Sequence, residues 1–197
     1  MKFVQFFCVS LLVLLSTTSI AFAHADAASL SGGLMSGFLH PISGLDHIIA
    51  MVAVGLWGAF LGRPAIWVLP LVFPLVMAFG GALGVAGVAI PGIETGIALS
   101  GLILGLAVAF AVKPPIWMAA ILVGAFAIFH GHAHGAELPN AANPLIFSIG
   151  FVVSTGLLHL AGIGFGELSR WSWGKTVVRA GGGVIALIGL GFLTGTI

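Results

Sequence analysis

Apolar segments at Pro41–Gly62, Ala65–Val88, Pro91–Val112, Pro115–Gly135, Pro144–Phe165 and Thr176–Thr196 follow one another with only short turns between them. Each is close to the ~20 residues that a helix needs to cross a hydrocarbon core. Such a chain has few folds open to it. In lipid every backbone polar group must be paired internally, which leaves helices or closed barrels. Charged residues are 6% of the sequence and hydrophobic residues 60%, whereas a soluble domain carries about 25% charged residues. The sequence therefore predicts an all-α, polytopic membrane protein with six transmembrane helices. A net charge of +1 gives no nucleic-acid signal. The abundant, dispersed glycines suit close helix approach.

Residues 1–23 read as a cleavable signal peptide. Lys2 is the charged start, Phe3 to Leu15 the apolar stretch, and Ala21-Phe22-Ala23 an A-x-A cleavage site. The remainder, 24–197, reads as a single six-helix transmembrane domain. Cleavage removes Cys8, the sole cysteine, and with it any disulfide or thiolate ligand. It also makes His24 the new N-terminus, whose α-amine and imidazole can chelate a metal together. Ser29 to Leu39 is too short to span and reads as a half-helix or interfacial entry segment.

Arg63, Lys113 and the trio Arg170, Lys175 and Arg179 fall at alternate ends of the segments. The positive-inside rule makes those turns cytoplasmic, and Trp57, Trp67, Trp117, Trp171 and Trp173 lie near them as an aromatic belt would. The expected location is the bacterial cytoplasmic membrane, with the mature N-terminus periplasmic. Pro41 to Trp67 matches Pro91 to Trp117 at an offset of 50. Pro144 opens the fifth segment similarly, in a position where the missing N–H costs nothing. This weak repeat suggests three stacked hairpins.

On that topology the imidazoles and carboxylates gather at the outer side and the basic residues at the inner side. A thiolate-free set of this kind suits a borderline divalent cation such as Ni²⁺, Co²⁺ or Zn²⁺. One cluster is His40-Pro41-Ile42-Ser43-Gly44-Leu45-Asp46-His47. Pro41 disfavours helical geometry at His40, which places His40 just before the helix. Asp46 and His47 are about 100° apart on a helix, so Asp46 either binds metal directly or orients an imidazole. Helix capping would explain Asp46 alone, but not an acid and two histidines gathered at a membrane helix start.

The other cluster is Phe129-His130-Gly131-His132-Ala133-His134-Gly135-Ala136-Glu137. On a regular helix His130 and His134 share a face and His132 points away. Unwinding at Gly131 would let all three converge. Glu94, at the start of the third segment, is equally a dipole-complementing acid or a ligand. His159 is a histidine in an apolar span, either hydrogen-bonded in the core or on a pathway. Glu167 is an exit group or a loop acid. Asp26 lies on the outer side with His24. Gly174-Lys175-Thr176 fails as a phosphate loop because Ser169 stands where the earlier glycine must be, and no H-E-x-x-H is present.

Together the two clusters resemble the signatures of the HupE/UreJ family, as do the length, leader and helix pattern. The first is also similar to the H-x4-D-H signature of the larger nickel/cobalt transporter family, here with one more intervening residue. The resemblance implies a nickel or cobalt permease linked to hydrogenase or urease maturation. It implies His40, Asp46, His47, His130, His132, His134 and Glu137 as metal-handling residues. His24, Glu94 and His159 are further candidates from position alone. The expected activity is secondary, ATP-independent uptake, with no permanent cofactor and no nucleotide. A membrane metalloenzyme, or a metal-binding accessory protein without flux, is the competing expectation.

Overall fold

The computed structural model describes residues 30–136, 138 and 143–197. The predicted leader, His24, Asp26 and Glu137 lie outside the described residues. Among the described residues all regular structure is helical: α1 (Leu30–Ser43), α2 (Leu45–Leu61), α3 (Ala65–Val85), α4 (Ile93–Ala109), α5 (Ile116–Ala136), α6 (Pro144–Gly166) and α7 (Ser172–Thr194). A 3-10 turn, Glu167–Arg170, joins α6 to α7, and there Glu167 pairs with Arg170.

Among the described residues, four helices are long and apolar enough to cross a membrane: α3, α5, α6 with its 3-10 extension, and α7. The bent pair α1 and α2 makes a fifth candidate, and α4, at 17 residues, is a shorter apolar helix. The chain is a multi-pass membrane protein. Each predicted segment contains one helix; of the six expected spans, four or five meet the length and composition of a crossing helix.

The first segment differs from expectation at its start. Pro41 opens no helix; it lies inside α1, so His40 is in that helix's last turn rather than ahead of a helix. The break falls at Gly44, whose backbone is extended (φ −100°, ψ 121°), and α1 meets α2 at a bend of 81°. Pro91 likewise precedes α4 by two residues. Only Pro144 sits in a helical first turn, behind Asn143, whose side-chain oxygen accepts from the N–H groups of Leu145 (3.1 Å) and Ile146 (3.4 Å).

The helices do not stack as hairpins of sequence neighbours. The extensive pairings are α3 with α5, α4 with α7, α2 with α6, and α1 on α6. Small residues make them close. A Cβ on Gly131 would strike the carbonyl of Met77, and one on Gly135 that of Gly81, so α5 and α3 run nearly backbone to backbone. Gly55 meets the backbone of His159 and Gly162 that of Val52, between α2 and α6. In lipid, where apolar surface gains nothing by leaving one oily phase for another, such van der Waals closeness drives association. The repeat survives in helix length: α2 and α4 have 17 residues each, α3 and α5 have 21 each.

Helix α2 is the hub, touching α3, α4, α6 and α7. Met51, Val54, Leu56 and Trp57 are buried on it. Trp57 is 1% exposed and so belongs to the core, not to an aromatic belt. Its Nε1 donates to the Val112 carbonyl (3.1 Å), and Arg179 Nε donates to the Ala109 carbonyl (2.8 Å). Both satisfy carbonyls at and beyond the end of α4, which the helix itself leaves unpaired. Trp67, Trp117, Trp171 and Trp173 remain exposed.

Candidate metal-binding site

At the opposite end of α2 from Arg63, four imidazoles from three helices pack together. His40 comes from α1, His47 from α2, and His130 and His134 from α5. Ring centroids are 4.5 Å apart for His47 and His134, 4.8 Å for His40 and His134, 5.2 Å for His47 and His130, and 6.3 Å for His40 and His47. Helix α5 stays regular through Ala136, so His130 and His134 share a face one turn apart. Gly131 and Gly135 therefore serve packing against α3; the chain does not unwind at Gly131.

Each of three imidazoles is held by one ring nitrogen and leaves the other bare. His47 Nδ1 lies 2.8 Å from Asp46 Oδ1. An ionised carboxylate only accepts, so Nδ1 carries the proton and Nε2 presents a lone pair. The Asp46 and His47 side chains occupy the space a Cβ on Gly44 would take, 2.6 Å from Oδ1 and 2.8 Å from Nδ1. Glycine at the break is thus what lets the pair fold back over the bend.

His130 is fully buried, and its Nε2 lies 3.0 Å from Ser100 Oγ. Ser100 already donates its hydroxyl proton to the Ile97 carbonyl (2.6 Å). It must accept from His130, which fixes the proton on Nε2 and leaves Nδ1 bare. His134 Nδ1 and His40 Nε2 share a hydrogen bond of 3.0 Å. The remaining nitrogens, His47 Nε2, His130 Nδ1 and His134 Nε2, are buried and have no hydrogen-bond partner.

Aromatic rings wall the cluster. Phe147 and Phe151 of α6 face His40 at 5.7 and 6.0 Å, Phe151 faces His134 at 4.5 Å, and Phe73 of α3 faces His130 at 5.5 Å. A cavity of about 230 Å³ between α3, α5 and α6 reaches His134 past Pro74, Met77 and Phe151. Among the described residues, no three His, Asp or Glu side chains are arranged so as to hold one ion between them. The arrangement therefore offers lone pairs singly or in pairs rather than a closed coordination sphere.

The remaining candidates are placed elsewhere. His132 points away from the cluster, and its Nε2 donates to the Val88 carbonyl (2.6 Å), tying α5 to the turn that follows α3. Glu94 is exposed in the first turn of α4, with no ion pair or hydrogen bond to the imidazoles. His159, on α6, is 2% exposed with Nε2 unpartnered, and its ring lies 5.5 Å from Phe73. Sequence reasoning missed Ser100 and the aromatic wall. Ser100 was detectable as a hydroxyl in the middle of an apolar helix, where polar groups need a reason; nothing distinguished Phe73, Phe147 or Phe151 from other apolar residues.

The comparisons with known proteins bear on the family of the chain. The family model described as HupE / UreJ protein matches residues 12–192. The chain is 49% identical over 173 residues to "Protein HupE" of Rhizobium leguminosarum bv. viciae, covering 88% of this chain and 91% of that one. No solved structure matches. With a family match across nearly its whole length and a relative this similar, the chain belongs to the HupE/UreJ family.

Proposed function

We propose that the protein carries divalent transition-metal ions, Ni²⁺ or Co²⁺ and by the same donor chemistry Zn²⁺, into the bacterial cytoplasm without ATP. The observation that carries this reading is the set of three bare, buried imidazole nitrogens on His47, His130 and His134. Leaving such atoms unpaired in a membrane interior is costly unless something is meant to occupy them. Neutral imidazole nitrogen is a good donor to these cations. The family resemblance points to the same cargo and to a link with hydrogenase or urease maturation.

The reading assigns the imidazole end to the outside and the Arg63, Lys113 and Arg179 end to the cytoplasm, by the positive-inside rule. A hydrated ion enters at His40 and Asp46, exchanges water for the nitrogens of His47 and His134, and passes inward to His130. Asp46 holds His47 in the right tautomer and supplies negative charge. The lone pairs that the described residues offer singly or in pairs suit this role, because conduction needs binding weak enough for release. An inside-negative potential drives a doubly charged ion inward by roughly 4.6 kcal/mol per 100 mV. Hydrolytic chemistry would need a free, positioned base beside the metal; among the described residues, the acid in contact with the cluster is Asp46, which His47 engages.

The test is uptake of labelled nickel and cobalt into proteoliposomes under an imposed inside-negative potential. Flux above that of empty vesicles, growing with the potential, is expected. Stoichiometric binding to well-folded protein with no flux would instead make it a metal-binding accessory.

A further inference from the structure

Beyond Phe151, which touches His134, helix α6 carries Ser154, Thr155 and His159, all buried. Ser154 Oγ, Thr155 Oγ1 and His159 Nε2 meet no hydrogen-bond partner. The hydroxyls are the unusual part. A helical serine or threonine ordinarily turns its hydroxyl onto the carbonyl four residues back. Ser148 does so on this same helix, donating to Pro144 (2.7 Å), and Ser43 on α1 donates to Leu39 (2.8 Å). Ser154 and Thr155 forgo that bond although no water-exposed surface is open to them.

Their placement continues the imidazole cluster inward. Ser154 follows Phe151 by three residues and so extends the stripe that faces His134, while Thr155 and His159 share a face one turn apart. From Phe151 to His159 the helix advances about 12 Å. The Phe73 ring neighbours both histidines, its centroid 5.5 Å from that of His130 and 5.5 Å from that of His159. No carboxylate is among the three groups, so an ion here would meet one imidazole nitrogen and neutral oxygens only. That is a weaker donor set than one with Asp46 at hand, as a site next on the way to release requires.

We propose that Ser154, Thr155 and His159 form a second, inner station for a partly hydrated divalent transition-metal ion, reached from the imidazole cluster past Phe73. The inference rests on the transport reading above, and its test separates the two. Nickel binding to purified protein and nickel flux into proteoliposomes are measured for wild type, His159→Ala, Thr155→Val and Thr155→Ser. The expected result is a split: binding at the outer cluster stays within about twofold of wild type, while flux falls about tenfold or more in His159→Ala and clearly in Thr155→Val, the range typical when a metal-handling group is lost. Thr155→Ser, which keeps the hydroxyl, restores flux. Wild-type flux in folded His159→Ala and Thr155→Val would overturn the inner station and leave the transport reading intact. Loss of outer binding in both variants would overturn it too, by making these residues supports of the cluster. No flux from wild type would defeat both.

Discussion

At the scale of single residues, the site depends as much on what holds each imidazole as on the imidazoles themselves. Asp46 and Ser100 each engage one ring nitrogen and so decide which nitrogen faces the cluster. Replacing Ser100 by alanine removes the acceptor for His130 Nε2–H and frees the ring to change tautomer. Ser100→Ala should weaken nickel binding about tenfold, as loss of an orienting partner does elsewhere. Isothermal titration measures the affinity, and ¹⁵N chemical shifts of the His130 ring report the tautomer. Unchanged shifts and affinity would show that Ser100 positions nothing. That His40, Asp46, His47, His130 and His134 stand out was readable from sequence because ionisable groups in apolar spans are rare. Ser100 stood out only as a hydroxyl in an apolar helix; its role could not be read, because it depends on α4 lying beside α5, a contact between residues 30 positions apart. His132 was separated from its neighbours by helical periodicity alone, and it indeed faces Val88.

At the scale of elements, the sequence's apolar runs located a helix in every predicted segment, since chain length and hydropathy alone decide where a helix can persist in lipid. The partners were not legible. Sequence adjacency and the 50-residue repeat suggested hairpins, whereas α3 pairs with α5, α4 with α7, and α2 with α6. Those choices follow from which small-residue stripes match in space. The start of the first segment misled for a related reason: Pro41 resembles a first-turn proline, but the chain breaks three residues later at Gly44, where the Asp46–His47 pair needs the room. Because Gly131 sets the approach of α5 to α3, Gly131→Val should destabilise the bundle by about 1–3 kcal/mol through overpacking. It should also shift His130 and His134 together. Thermal unfolding in detergent and nickel affinity are the readouts; a variant as stable and as tightly binding as wild type would show that the close approach is dispensable.

At the scale of the whole molecule, the bundle separates its chemistry by depth. Arg63, Lys113 and Arg179 lie at one end, the bare imidazole nitrogens toward the other, and the tightly paired helices between them. Imidazoles must be neutral to bind a metal, so protons compete with the cargo. Uptake at fixed nickel concentration should therefore weaken as the outer medium is acidified. Initial rates at equal imposed potential check this; uptake that rises steadily toward pH 5 would contradict a route through neutral histidines.

The central claim is that the ion passes through the cluster of His47, His130 and His134. The most direct measurement compares initial nickel flux into proteoliposomes for wild type, Asp46→Asn and His130→Ala, reconstituted at equal density and shown to be folded. The account predicts flux well above empty vesicles for wild type and a loss of about tenfold or more in each variant. Wild-type flux in folded His130→Ala would contradict it.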